Sequence, residues 1–152
     1  MTVHSGTPFS IITGANNNFD SANGNRPNLV AGTSAFLDPH RSRSVSRYAW
    51  FNKAAFTANG PGVAGGIGPG GADGNTPRDY LVGPGYRDVD LGLFHDVRLE
   101  RGIVFQLRAE ATNAFNLVSL GTPTANLASS QNGWINSAAT QRLIQVGGRL
   151  TF

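Results

Sequence analysis

The stretch that decides the fold reads Val89-Asp90-Leu91-Gly92-Leu93-Phe94-His95-Asp96-Val97-Arg98-Leu99-Glu100-Arg101-Gly102-Ile103-Val104-Phe105-Gln106-Leu107-Arg108-Ala109-Glu110-Ala111-Thr112. Val89, Leu91, Leu93, His95, Val97 and Leu99 fall on one set of alternate positions. Asp88, Asp90, Gly92, Phe94, Asp96, Arg98 and Glu100 fall on the other. Successive side chains of a β-strand point to opposite faces, so a period of two means a strand with one dry and one wet face. Ile103, Phe105, Leu107, Ala109 and Ala111 repeat the pattern against Val104, Gln106, Arg108, Glu110 and Thr112. Arg101-Gly102 between the runs marks a tight turn, and the whole predicts a long hairpin with strands near 86–100 and 103–112.

The same alternation closes the chain. Ile144, Val146, Gly148, Leu150 and Phe152 alternate with Gln145, Gly147, Arg149 and Thr151, which predicts a strand near 142–152. Residues 3–13 are rich in Val, Ser, Thr, Phe and Ile and also favour a strand, although Pro8 counts against regularity there. Between these runs lie two long loops, 14–85 and 113–140, dense in Gly, Asn, Pro and Ser. A loop as long as the first far exceeds the usual limit of about 12–15 residues, so it is either functional or partly a subdomain. The apolar stretch Tyr48–Phe56 is the expected anchor of such a subdomain, as a short helical turn or docked segment.

Composition narrows the classes. The 152 residues include 20 Gly and 8 Pro but no Cys, which excludes a disulfide framework and any cysteine metal or redox site. Charged residues are only 14%, which argues against a helical bundle or coiled coil. The net charge of +3 is modest, and Arg41, Arg43, Arg47 and Lys53 read as a solvated loop; a nucleic-acid partner is not expected. No secretory leader is visible in residues 1–10, and no apolar run is long enough for a transmembrane helix. Transmembrane strands need only about ten alternating residues each, so a membrane barrel stays open.

Strands of roughly 10–15 residues exceed the usual five or six of soluble sheets. Long alternating strands joined by a tight turn on one side and long loops on the other describe an outer-membrane barrel. In that reading Asp88, Asp90, Asp96, Arg98, Arg108, Glu110 and Arg149 line the barrel interior, with Glu100 on the same set, and no ionic residue falls on the lipid set. His95 is the one polar residue on the lipid face, placed there at lowest cost near an interface or uncharged. A soluble two-layer sandwich, with the apolar face as its core, fits alternation equally well.

Six blocks carry a resemblance to a known family. They are Ser5–Ser10, Asn25–Val30, Trp50–Phe56, Gly83–Gly92, Gln106–Asn116 and Gln145–Phe152, in that order along the chain. Together they resemble the C-terminal barrel segment of a TonB-dependent receptor of the Oar-like, acidobacterial type. The resemblance implies an all-β fold, an antiparallel long-strand meander forming the C-terminal part of a transmembrane outer-membrane β-barrel, with long extracellular loops 14–85 and 113–140. It implies location in the outer membrane of a Gram-negative bacterium and uptake of a substrate across it. Implied partners are outer-membrane lipid, the barrel-insertion machinery, the remaining barrel strands and plug of a parent receptor, and TonB through an N-terminal part. Gln145, Gly147, Leu150 and Phe152 match the family's barrel-assembly signal. About four strands cannot close a barrel, so the chain is expected to be a piece of a longer receptor of about twenty-two strands. The alternative function is a secreted or cell-surface β-sandwich that binds carbohydrate or protein.

Chemistry is sparse. Gly66-Ile67-Gly68-Pro69-Gly70-Gly71 matches a dinucleotide-loop spacing, but Pro69 and the surrounding glycines argue against the helix that motif requires. His4, His40 and His95 lack ligand spacing, no serine sits in a nucleophile elbow, and Asp38-Pro39-His40 reads as a turn. Asp20–Asn25 resembles half a calcium loop without its closing acid and reads as an Asx-turn network. No enzyme activity, cofactor or metal is expected. Trp50, Phe51, Phe56 and Trp134 are the candidate loop aromatics for an extracellular ligand, with loop packing as their ordinary role.

Overall fold

The computed structural model describes residues 1–14, 24–58, 74–139 and 141–152. In chain order the elements are β1 (Thr2–His4), β2 (Pro8–Phe9), β3 (Asn28–Leu29), α1 (Arg43–Ser46), β4 (Phe56–Thr57), β5 (Leu81–Val82), β6 (Tyr86–Asp88), β7 (Leu91–Arg98), β8 (Val104–Thr112) and β9 (Leu143–Thr151). Among the described residues helix is limited to α1 and two short 3-10 turns, and the fold is all-β. The described residues form two compact units. One, the strand unit, comprises Met1–Ser5, Gly85–Ser119 and Ala138–Phe152; the other, the loop unit, comprises Gly6–Pro84 and Leu120–Ser137.

In the strand unit β7, β8 and β9 make an antiparallel sheet in that order. Its register aligns four apolar rows: Val97–Phe105–Leu150, His95–Leu107–Gly148, Leu93–Ala109–Val146 and Leu91–Ala111–Ile144. Every residue of these rows lies on one face, because register and side-chain parity agree on all three strands. Leu93, Ile144 and Val146 are 71%, 62% and 75% exposed on that face. A sandwich would have packed them into a core; here they stand uncovered. Nine residues at about 3.4 Å each, tilted by about 40°, rise roughly 23 Å, close to the ~25 Å apolar band of an outer-membrane strand.

The β7–β8 hairpin turns through three residues, Glu100–Gly102, with Leu99 N–H bonded to Ile103 O at 2.8 Å. Arg101 and Gly102 both take left-handed backbone, φ +62° and +79°, which matches the right-handed twist of the flanking strands. At the other end of β8 the chain turns at Asn113–Asn116. The Asn113 side chain accepts from Leu117 N–H and donates to Leu117 O, while Asn116 N–H bonds Asn113 O. Asn113 and Asn116 have φ +48° and +52°, a conformation Asn tolerates better than most residues. β1 pairs with β6, stacking His4 on Tyr86 with ring centroids 5.1 Å apart.

Two expected boundaries differ. The strand expected near 3–13 divides into β1 and β2, in different units, followed by an isolated bridge from Ile12 to Asn126. Pro8 supplies no N–H to a ladder, and a Cβ at Gly6 would coincide with the Gly83 carbonyl, so the backbone closes on Gly83 there instead of running on as regular strand. The strand expected at 86–100 is interrupted at Val89–Asp90, although Ala114 N–H still bonds Val89 O.

The described parts of segments 14–85 and 113–140 are not open loops throughout. Ile11, Ala35, Phe51, Ala55, Phe56 and Leu81 form the core of the loop unit, with Phe9, Leu29, Trp50, Tyr80 and Leu127 against it. Short ladders β2–β5 and β3–β4 frame this core. Backbone bonds then stitch the two segments together, Trp50 N–H to Gly133 O and Ile135 N–H to Arg47 O, and Ile12 N–H to Ala125 O ties the preceding residues to the second segment. The fully buried Thr76 is paired, its Oγ1 donating to Pro27 O at 2.7 Å.

Candidate functional site

The sheet presents its polar face opposite the apolar rows. There Gln106 Nε2 donates to Asp96 Oδ1 at 2.9 Å, and Arg108 Nη2 donates to Gln106 Oε1 at 3.0 Å. Gln106 thus links an acid on β7 to a base on its own strand through both ends of its amide. Arg149 registers opposite Gln106, and Glu110 registers opposite Gln145. Arg98 sits at the turn end of this face, opposite Val104. Asp90 Oδ1 accepts from Asn113 N–H, which ties the charge to the turn. Asp88 accepts from Tyr86 Oη through Oδ2 at 3.0 Å, while its Oδ1 is buried without a hydrogen bond among the described residues. Cross-strand pairing of this kind stabilises a sheet by roughly 0.2–1 kcal/mol per pair.

Gln145 and Gly147 of β9 lie on the polar face, the latter beside the Arg108 stem; Leu150 lies on the apolar face opposite Phe105, and Phe152 follows the strand almost fully exposed. His95 occupies a central apolar row, next to Leu107 and in line with Gly148.

The four loop aromatics separate. Phe51 and Phe56 are buried in the loop-unit core, rings edge-on with centroids 5.7 Å apart. They hold the unit together, and Phe51 also borders the cleft described below. Trp134 is half-buried and edge-on to Tyr48, over which Arg47 lies. Trp50 is half-buried, its indole N–H donating to Val82 O at 2.8 Å.

Trp50 also lines a cleft of about 200 Å³ in the loop unit, together with Phe36, Leu37, Pro39, Arg41 and Val82. Arg41 was expected in a solvated loop; it is half-buried instead, donating to Asp38 O at 2.9 Å, Ala49 O at 2.7 Å and Trp50 O at 3.4 Å. The first of these closes the Asp38-Pro39-His40 turn, where Asp38 Oδ1 accepts from His40 N–H. Phe36 is 57% exposed and packs against Tyr80 with the rings tilted by 53° and centroids 5.4 Å apart. Sequence reading missed Phe36, Arg41 and Val82 as cleft residues. Only the clustering of an arginine with exposed aromatics hinted at them.

Among the described residues no three His, Cys, Asp or Glu side chains converge as a metal site, and no helix is long and apolar enough to cross a membrane. Gly66–Gly71 and residues 20–23 of the calcium-like segment lie outside the described residues.

A family model described as an outer membrane beta barrel domain matches residues 1–145. No curated protein and no solved structure matches the chain.

Proposed function

The chain belongs to the outer membrane beta barrel domain family and resides in the outer membrane, and from that premise we propose that it is part of a TonB-dependent receptor. In this reading the receptor takes up a substrate across the outer membrane, energised by TonB through an N-terminal part, and performs no covalent chemistry. The apolar rows face lipid, and Asp88, Asp90, Asp96, Arg98, Arg108, Glu110 and Arg149 face the wet interior. Gln145, Gly147, Leu150 and Phe152 form the signal read by the barrel-insertion machinery. The Glu100–Gly102 turn is periplasmic, and the long segments that build the loop unit are extracellular, following the short-inside, long-outside rule.

The observation that carries the barrel half of this reading is the registered sheet with one exposed apolar face and the ionic side chains of its strands on the other. The receptor half rests on the order of the six sequence blocks. The gene tests it directly. Reading the frame on the 5′ side of the Met1 codon should give further alternating strands, a plug and an energy-coupling box. A frame that stops there, or continues into an unrelated domain, would overturn the receptor reading and leave the barrel assignment intact.

A further inference from the structure

We propose that the loop-unit cleft beside Trp50 binds a small aromatic acid: one ring with one carboxylate. The inference rests on the reading that the loop unit faces ligand. Three observations carry it. The first is size. A cavity of about 150 Å³ accepts benzene in an apolar protein site, so a cleft of about 200 Å³ takes one ring and a short polar substituent. The second is the wall. Phe36, Leu37, Pro39, Trp50 and Val82 offer flat or branched apolar surface, and the indole is held in place by its bond to Val82 O. Aromatic rings pair favourably with such surfaces, by about 0.5–1.5 kcal/mol beyond the area they bury.

The third is charge. Arg41 lines the cleft with its guanidinium fixed by three backbone carbonyls, none of which neutralises it. Those bonds use three of its five N–H donors, and a planar guanidinium is suited to a carboxylate. Asp38 also lines the cleft, but it is exposed and engaged with His40 N–H. From residue 38 to residue 53 the chain carries Arg41, Arg43, Arg47 and Lys53 against Asp38 alone, four cations and one anion, a local balance of +3. A carboxylate is therefore favoured over an ammonium at this position, and the apolar walls favour a ring over a sugar.

The test uses the full chain in nonionic detergent micelles. Trp134→Phe leaves Trp50 as the only tryptophan, so its emission reports the cleft. Phenylacetate is the probe, with benzyl alcohol as its neutral counterpart and benzylammonium as its cationic one. Phenylacetate should change Trp50 emission saturably, at least tenfold more tightly than benzyl alcohol, and benzylammonium should give no saturable change. Arg41→Gln should weaken phenylacetate at least tenfold. Because Arg41 also holds loop carbonyls, Val82→Asp provides a second variant: its side chain is half-exposed, and its added charge should abolish phenylacetate binding while the Trp50 bond to the backbone persists. No saturable response, or equal responses to the acid and the alcohol, would overturn the proposal. Either outcome leaves the receptor reading to be decided by the upstream frame.

Discussion

Adjacent residues of β9 offer a sharp test of which face meets lipid. Val146 lies in the central row Leu93–Ala109–Val146 and is 75% exposed; Gln145 lies on the other face, directly opposite Glu110. Consider Val146→Arg and Gln145→Arg, the same new side chain one residue apart. If both faces met water, each change would be an exposed substitution within about 0.5 kcal/mol of neutral. If the apolar face meets hydrocarbon, the two diverge. Val146 is the fourth of the nine residues of β9 and thus close to its middle, so it sits near mid-depth, where a lipid-facing Arg costs about 2–4 kcal/mol. That cost corresponds to roughly a thirty- to nine-hundred-fold shift in the folded-to-unfolded ratio. On the polar face, Gln145→Arg gains an opposite charge across the strand pair, worth up to about 1 kcal/mol. The assay is reversible urea unfolding of the full-length protein inserted in lipid vesicles, followed by tryptophan emission. The expected result is a large fall in midpoint for Val146→Arg and little change or a rise for Gln145→Arg. Equal effects for the two variants, or a larger loss for Gln145→Arg, would refute the face assignment.

Three further outcomes follow from particular residues. Phe51→Ala removes a buried ring that touches Phe9 and Phe56, and should cost the loop unit about 3–5 kcal/mol; proteases should then cut segment 24–58 while the β-sheet circular dichroism signal persists, and unchanged resistance would contradict its core role. Arg101→Gly relieves a left-handed non-glycine position and should raise stability by about 1 kcal/mol, measured by denaturant midpoint; a fall would show that the arginine side chain matters more than its backbone. Phe152→Ala should lower the amount of full-length barrel protein assembled in the outer membrane several-fold, measured by heat-modifiable mobility on gels, with normal assembly counting against the insertion signal.

The two faces of the sheet were legible in the sequence, because side-chain alternation is a local property of extended backbone. Asp96, Arg108 and Glu110 fall on the polar face for the same reason that Leu93 and Leu107 fall on the other. The hairpin turn was equally local, since Gly102 reaches positive φ at little cost. What the loops do was not legible. Ile11, Ala35, Phe51, Ala55, Phe56 and Leu81 meet in one core from positions with no period, so nothing in their spacing announces it. The break after β1 likewise depends on Gly6 meeting Gly83, a contact between residues 77 positions apart, and only the folded chain brings them together. Sequence thus determined which side of each strand is dry, through the fixed geometry of neighbouring residues. Tertiary structure decided that Phe56 is scaffold while Trp50, Phe51 and Arg41 border a cleft, because burial depends on which distant segments pack over a side chain.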